Sequence, residues 1–544
     1  MKRLFPFALA VLLPLWTWAQ SLSIDPNMAR KVQAAEFFIS HFYVDSLSEE
    51  KVVDDAIEGM LKGLDPHSTY IRARDVERST EHITGSFEGV GVQFNMIDDT
   101  LVVVQPVSGG PSERMGIQAG DRFITVDDTL IAGVSMQTNE IMRRLRGPKG
   151  TRVRIGVQRD GVAGLNEFTI ERDKIPVTTL DAAYMAAEGV GYVKLSSFGQ
   201  TTHEEFLAAV EPLRRAGMAT LVLDLQGNGG GLLEAAIQIS NEFLPQGALI
   251  VYTDGRSSGR RDYTARGDGS LQDIRLIILV DSYTASAAEI VSGAVQDNDR
   301  GYVIGRRTFG KGLVQRPFEL PDHSVIRLTV SHYYSPSGRC IQKAYKLGEK
   351  QDYQDDIGNR LKSGELTNDL LNAQLIAADS ALSSLWQQLC PDSLRKQTLQ
   401  LGRMVYGGGG IMPDIYVPLD TARQTPLYRQ LSAKSCLLGA SLKYVGKQRA
   451  QLLADYPDPT AFIAAYTLPQ EAIDLLLSEA RAKGITYTDE ELQATLPLAK
   501  RTLKALIARD LWTLSEYYQA LNDQNDIYVR GIDLARHYIP LQEP

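Results

Sequence analysis

Between Val190 and Gly305 the chain alternates short apolar runs with helix-length amphipathic stretches. The runs are Val190–Leu195, Thr220–Leu225, Arg275–Val280 and Gly301–Gly305. Between them lie His203–Ala216, Leu232–Leu244 and Ala287–Gln296. Short apolar runs bounded by turn residues read as buried strands, and the longer periodic stretches read as helices. Strands alternating with helices predict a layered α/β core.

The sequence on either side differs. Residues 25–80 carry helical spacing (Val32, Ala35, Phe38, Ile39, Phe42, then Val53, Ile57, Met60, Leu61), stopped at Gly63-Leu64-Asp65-Pro66. From about 84 to 175 the pattern is β: Val90–Phe94, Leu101–Val104, Arg122–Val126 and Arg152–Val157, with a helix at Thr138–Leu145. After 350 helical spacing returns at Thr367–Gln388. Gly407–Gly410 with Ile411–Val417 reads as a loop and a strand returning to the core sheet, and the last 125 or so residues are mostly amphipathic helix. The division is a leader at 1–20, a helical region at 21–82, a β-rich module at 83–175, an α/β core at 176–350, a helical insertion with a returning strand at 351–420, and a helical domain at 421–544.

The leader has a basic start (Lys2, Arg3), an apolar run to Trp18 broken by Pro6 and Pro14, and a small residue at Ala19. This reads as a secretory signal peptide rather than an uncleaved N-terminal anchor, since the run is shorter than the roughly 20 residues that span a bilayer. The mature chain is therefore expected to be exported, to the periplasm, with membrane association or release as other exported fates, and without a transmembrane span. A net charge of −9 gives no basic footprint for nucleic acid. Three cysteines make at most one disulfide, and no Cys/His cluster has metal spacing, so neither metal nor cofactor is expected.

Two segments of the core carry chemistry. Ser286, followed by Ala287, Ala288 and Glu289, stands at a strand-to-helix junction. The residues fit a capping box, and they equally fit a nucleophile beside free helix N–H groups. Twenty-five residues on comes Thr308-Phe309-Gly310-Lys311-Gly312. Gly305–Gly312 begins like a phosphate-binding loop but has Gly312 where Mg²⁺ needs a hydroxyl. A lysine set among small residues after an apolar strand is either a solvated charge or a buried amine of lowered pKa. A neutral amine of that kind takes a proton from a serine hydroxyl, and Gln315 is spaced to orient it. Gly227–Gly231 is either a tight connection or a loop bringing N–H groups to a ligand. Ser48…Lys51 matches Ser-x-x-Lys by chance, in an acidic helix.

The order of these motifs resembles the carboxy-terminal processing peptidases, exported serine proteases with an embedded PDZ domain and a Ser/Lys dyad. The resemblance is carried by Leu64–Tyr70, Gly89–Phe94, Gly110–Asp121, Leu145–Thr151, Ser286–Glu289 and Thr308–Gly312, and covers about residues 30–345 plus Gly407–Val417. It implies a crotonase/ClpP-like α/β peptidase core with an inserted PDZ domain. It implies Ser286 as nucleophile, Lys311 as general base, Gln315 as its positioner, and an oxyanion hole from Ala287 with Gly230 or Gly231. It also implies Gly89, Val90, Gly91 and Val92 as the PDZ carboxylate loop, and Arg146 as a coupler between PDZ domain and active site. The implied partners are protein or peptide substrates with free, apolar C-termini, with an adaptor or homo-oligomer left open. The family's glycine loop usually reads Asp-Leu-Arg-x-Asn-Pro-Gly-Gly. Here Gln226 replaces Arg and Gly229 replaces Pro. That departure is the sole support for a competing reading, a non-catalytic PDZ binding protein on a degenerate core. An acyl-CoA binder on the same fold is opposed by the leader and the PDZ module.

Overall fold

A computed structural model describes residues 25–370 and 380–542, and all counts are of these residues. The leader lies outside them. Met1–Leu64 and Asp65–Pro544 are separate compact units. In the first, helices Pro26–Phe42 and Glu49–Lys62 are described. Ser48 Oγ accepts from Lys51 N at 3.2 Å, so the Ser-x-x-Lys match is a helix N-cap.

The second unit is built on a six-stranded sheet. Its order is Leu180–Ala187, Val190–Leu195, Thr220–Asp224, Arg275–Val280, Tyr302–Gly305, Ile415–Tyr416. The first pair is antiparallel and the others parallel. The strand expected within Ile411–Val417 thus joins the edge of the core sheet. Side chains alternate between faces as strand geometry requires. Leu221, Leu223, Leu276, Ile278 and Val280 pack under Phe206, Ile239 and Val291 of the crossover helices. Val222, Ile277, Leu279 and Ile304 pack under Ile527 and Ile532 of helix Asp526–Arg536. The last helix therefore belongs to the core's packing, whereas helices between Leu427 and Leu511 form a hydrophobic cluster of their own.

A second, antiparallel sheet lies in the same unit. Strand Val325–Tyr334 pairs with Thr69–Ile71, Leu249–Asp254 and Leu313–Glu319. Sequence reading assigned no element between 306 and 350. Val325-Ile326-Arg327-Leu328-Thr329-Val330 alternates as a half-buried strand should, and that signal was available. The β-rich module contains a sheet ordered Val92–Ile97, Thr100–Pro106, Arg122–Val126, Arg152–Gln158, Asn166–Glu171, with helix Thr138–Leu145 as expected. Of the helix expected over 367–388, Thr367 lies in a turn, 371–379 fall outside the described residues, and Ser380–Leu389 is helical. The three cysteines are free. No described helix is long and apolar enough to cross a membrane.

One buried ion pair closes helix Ala287–Asp297. Asp297, its last residue, pairs with Arg339, and both side chains are fully buried. Arg339 also donates to Gln296 Oε1 and Tyr406 O, each at 3.0 Å. Removing one member of such a pair strands the other charge in the interior. Arg339→Met is expected to lower unfolding stability by about 3–5 kcal/mol, read from the denaturant midpoint. A loss under about 1 kcal/mol, within the range of ordinary surface changes, would contradict that assignment.

Candidate active site

Ser286 ends the turn after strand Arg275–Val280 and caps helix Ala287–Asp297. Its backbone is at φ 56°, ψ −116°, a conformation costly for any residue with a Cβ and often found where function demands it. The turn is tied twice to the segment Leu225–Asn228. Ala285 N donates to Asn228 O at 2.9 Å, and Thr284 Oγ1 to Leu225 O at 2.8 Å. The expected Glu289 contact forms, with Ser286 N donating to Glu289 Oε2 at 2.8 Å.

Glu289 does more than cap. It is 1% exposed. It also accepts from Thr308 Oγ1 at 2.5 Å, Gly310 N at 2.7 Å and Lys311 N at 2.9 Å. Burial pushes its carboxyl up, and these donors oppose that. One buried carboxylate thus ties the serine backbone to the lysine backbone. Tyr333 adds a second tie: its hydroxyl lies 3.0 Å from Ser286 O and 2.5 Å from Lys311 O. Sequence reading gave Glu289 only a capping role and missed Tyr333. Nothing local in the sequence marks Glu289 beyond its capping position, and Tyr333 sits on strand Val325–Tyr334, which went unassigned.

Lys311 precedes strand Leu313–Glu319 and is partly buried. Burial holds its amine below the ordinary lysine value, and the Arg327 charge adds to that, against opposing pulls from Glu289 and Asp65. Its Nζ donates to Gln315 Oε1 at 3.2 Å, and Gln315 Nε2 donates to His67 O at 2.7 Å. His67 lies in the Leu64–Tyr70 motif, in a turn closed by Asp65, which accepts from His67 N, Ser68 N and Thr329 Oγ1. Burial lowers the His67 imidazole to about 4, so it is neutral at physiological pH.

Ser286, Ala287, Lys311, Gln315, Gly230 and Gly231 line one cleft of about 780 Å³, with Leu233, Ile290 and Tyr333 among its apolar walls. A Cβ on Gly230 would stand 2.7 Å from Ser286 Cβ and 2.9 Å from Ala287 N, and its φ is +99°, so only glycine fits there. Gly230 N donates to Asn228 Oδ1 at 2.8 Å. Gly305–Gly312 leads into a strand, not a helix, which removes the phosphate-loop geometry.

The residues assigned to the PDZ module lie apart from this cleft. Val90 O accepts from Ser112 N (3.1 Å) and Ser112 Oγ (2.6 Å), fixing the loop before strand Val92–Ile97. That strand is an edge of its sheet. Gly91 has φ +74°, and a Cβ there would lie 2.9 Å from Ile175 Cδ1. Gly89 forms an isolated bridge with Arg146. Arg146 pairs with Glu81 and lies 5.0 Å from the Phe87 ring. Thr80, beside Glu81 on helix Ala73–Thr84, lines the cleft of Ser286.

Residues 189–354 match peptidase family S41, and 102–159 match a PDZ domain. Residues 18–75 match the N-terminal domain of the activating protease CtpB, and 427–513 a family of unknown function. The chain is 35% identical over 325 residues to the carboxy-terminal processing protease CtpA of Bacillus subtilis, covering 60% of this chain and 69% of that one. It is 35% identical over 337 residues to the carboxy-terminal-processing protease of Bartonella bacilliformis, covering 60% and 76%. The chain belongs to the carboxy-terminal processing proteases. Among solved structures it is similar to a photosystem II D1 C-terminal processing protease, at 30% identity over 56% of this chain and 82% of that one, TM-score 0.34. The peptidase is thus a serine-type enzyme with an S41 core and a PDZ domain, and the core holds the cleft just described. The unknown-function match, 427–513, falls on the helices that form their own cluster and ends before the helix that covers the core sheet.

Proposed function

We propose that this peptidase cleaves exported proteins near their C-termini with a Ser286/Lys311 dyad, and that its PDZ domain selects the substrate by its free tail. The observation that carries the reading is the cleft shared by Ser286 and Lys311, whose backbone N–H groups are both bonded by one carboxylate buried behind it, Glu289.

The chemistry follows from the environment. Neutral Lys311 Nζ, oriented by Gln315, takes the Ser286 hydroxyl proton as Oγ attacks the scissile carbonyl. The C–O bond forms and the carbonyl π electrons move to oxygen. Ala287 N–H, in the first helical turn and without an intrahelical acceptor, faces that oxyanion. The glycine loop supplies the second donor. Gly230 N–H is engaged by Asn228, which makes Gly231 the better candidate. The C–N bond then breaks, Lys311 returns the proton to the leaving amine, and water repeats the sequence on the acyl-enzyme.

Tail recognition rests on the edge strand Val92–Ile97. A substrate tail adds to such an edge as a further strand, with its carboxylate at the Gly89–Val92 loop and apolar terminal side chains in pockets beside it. Arg146 is placed to pass binding on through Glu81, since the same helix contributes Thr80 to the cleft. The leader Met1–Gln20 supports export, with the periplasm as location.

Two peptides of one apolar-ended sequence, free acid and C-terminal amide, test tail selection. The account expects the amide to be cleaved with kcat/KM lower by about tenfold or more, equivalent to about 1.4 kcal/mol. Equal values would remove the carboxylate from recognition.

A further inference from the structure

The glycine loop enters the active site from strand Thr220–Asp224 through Leu225 and Gln226. A lysine from the neighbouring strand lies under that entry. Lys194, on Val190–Leu195, is 6% exposed. Its Nζ donates to Gln226 O at 2.8 Å and lies 3.5 Å from Asp224 Oδ2. Asp224, 1% exposed, accepts from Gln226 N (2.8 Å), Gln226 Nε2 (3.2 Å) and Tyr192 OH (2.6 Å). Tyr518 lies over the ammonium, 5.2 Å from ring centre to Nζ.

We propose that Lys194 is a positioning residue for the oxyanion hole: its ammonium pins the Gln226 carbonyl and the Asp224 carboxylate, and so sets where Gly230 and Gly231 lie against Ala287 N–H. This rests on the oxyanion role given to those amides above.

Downstream of Gln226 the loop is bonded at its middle and its exit: Ala285 N donates to Asn228 O at 2.9 Å, Gly230 N to Asn228 Oδ1 at 2.8 Å, Phe198 N to Gly230 O at 3.0 Å and Leu232 N to Phe198 O at 2.8 Å. Gly227 N reaches Asp281 Oδ1 at 3.0 Å, Asn228 N reaches Leu225 O at 3.1 Å, and Asn228 Nδ2 reaches Leu195 O at 2.9 Å. Gly227, Gly229, Gly230 and Gly231 add almost no steric restraint of their own. With its middle and exit tied down in this way, the entry at Leu225 and Gln226 is the remaining end that sets the amide positions. Lys194 is the charged donor at that entry, and charge-assisted bonds are the stronger ones. It touches no substrate, so its effect falls on the transition state rather than on ground-state binding.

A simpler role competes: Lys194 only neutralises buried Asp224. Variants of the full-length chain separate the two. K194M is expected to lower kcat by about 10²-fold with KM within about threefold, since small misplacements near the reacting atoms cost that much. It also weakens a peptide boronate, whose tetrahedral adduct uses the oxyanion hole, by a similar factor, with little effect on binding of an uncleavable peptide. K194M leaves Asp224 uncompensated and need not fold. K194M/D224N removes both charges and keeps an acceptor for Gln226 N. The proposal expects this double variant to fold and to retain the loss in kcat, because Gln226 O still lacks its donor. Near-wild-type kcat in folded K194M/D224N overturns it, as does a loss confined to KM. S286A in the same assay keeps the readings apart: an active S286A sinks the nucleophile assignment, whereas an inactive S286A beside a fully active K194M/D224N sinks only the role of Lys194.

Discussion

Ser286→Ala is expected to abolish peptide hydrolysis. The expected loss in kcat is at least about 10³-fold, because removing a nucleophile leaves only binding and oxyanion stabilisation to act on water. KM for the same peptide stays within a few-fold, since the cleft walls are untouched. Stability changes little, by under about 1 kcal/mol, because alanine meets the same backbone strain as serine. Ser286→Gly separates strain from chemistry. At φ 56°, ψ −116° glycine has no Cβ to accommodate. This variant is expected to be equally inactive yet more stable than wild type by about 1 kcal/mol, the lower range for a residue held in a sparsely populated region. A Gly variant less stable than Ser would show that the turn is unstrained. Retained hydrolysis in either variant would move the nucleophile elsewhere.

Lys311→Met is expected to cost about 10³-fold in kcat, the middle of the range for loss of a general base. It is also expected to raise the melting temperature. Burial lowers the Lys311 pKa in the folded chain from the ordinary 10.5, whereas the unfolded chain keeps that value. Between the two values the unfolded chain binds a proton that the folded chain does not. Wild-type stability from this group is therefore fully present above about 10.5 and falls as pH drops through that window, becoming constant below the lowered value. Methionine has no such dependence, so its advantage grows as pH falls and then levels off. Activity moves in the same sense. Only the neutral amine accepts the Ser286 proton, so wild-type kcat/KM falls as pH drops through the lowered pKa. A pH-independent kcat/KM across that range, or a Met variant that is inactive and less stable, would contradict a buried neutral base. Loss of activity with a gain in stability is what a functional group held in an unfavourable environment produces.

The core was legible because parallel strands buried on both faces leave a continuous apolar run. Val190–Leu195 and Arg275–Val280 were read to the residue for that reason. In Leu313–Glu319 the apolar pattern breaks at Arg316 and Pro317, whereas Val325–Tyr334 carries a legible alternation from Ile326 to Val330. Ser286 and Lys311 were readable as an ordered pair of motifs. What joins them was not. Glu289 looks like an N3 capping acid, and nothing local shows that Thr308, Gly310 and Lys311 fold back onto it. Tyr333 and Lys194 depend on strand pairing that sequence order does not reveal. Gln226 is the instructive case. The resemblance shows only that the usual arginine is replaced there; that Lys194, thirty-two positions earlier in the chain, bonds Gln226 O and lies beside Asp224 is visible only in the structure.

The most direct measurement is covalent. The peptidase is treated with a fluorophosphonate and the labelled residue located by peptide mass mapping. The account predicts one adduct, on Ser286, formed rapidly in wild type and at least about 10²-fold more slowly in Lys311→Met, in line with loss of base activation. An adduct on another residue, or equal labelling of Ser286 with and without Lys311, would contradict the Ser286/Lys311 dyad.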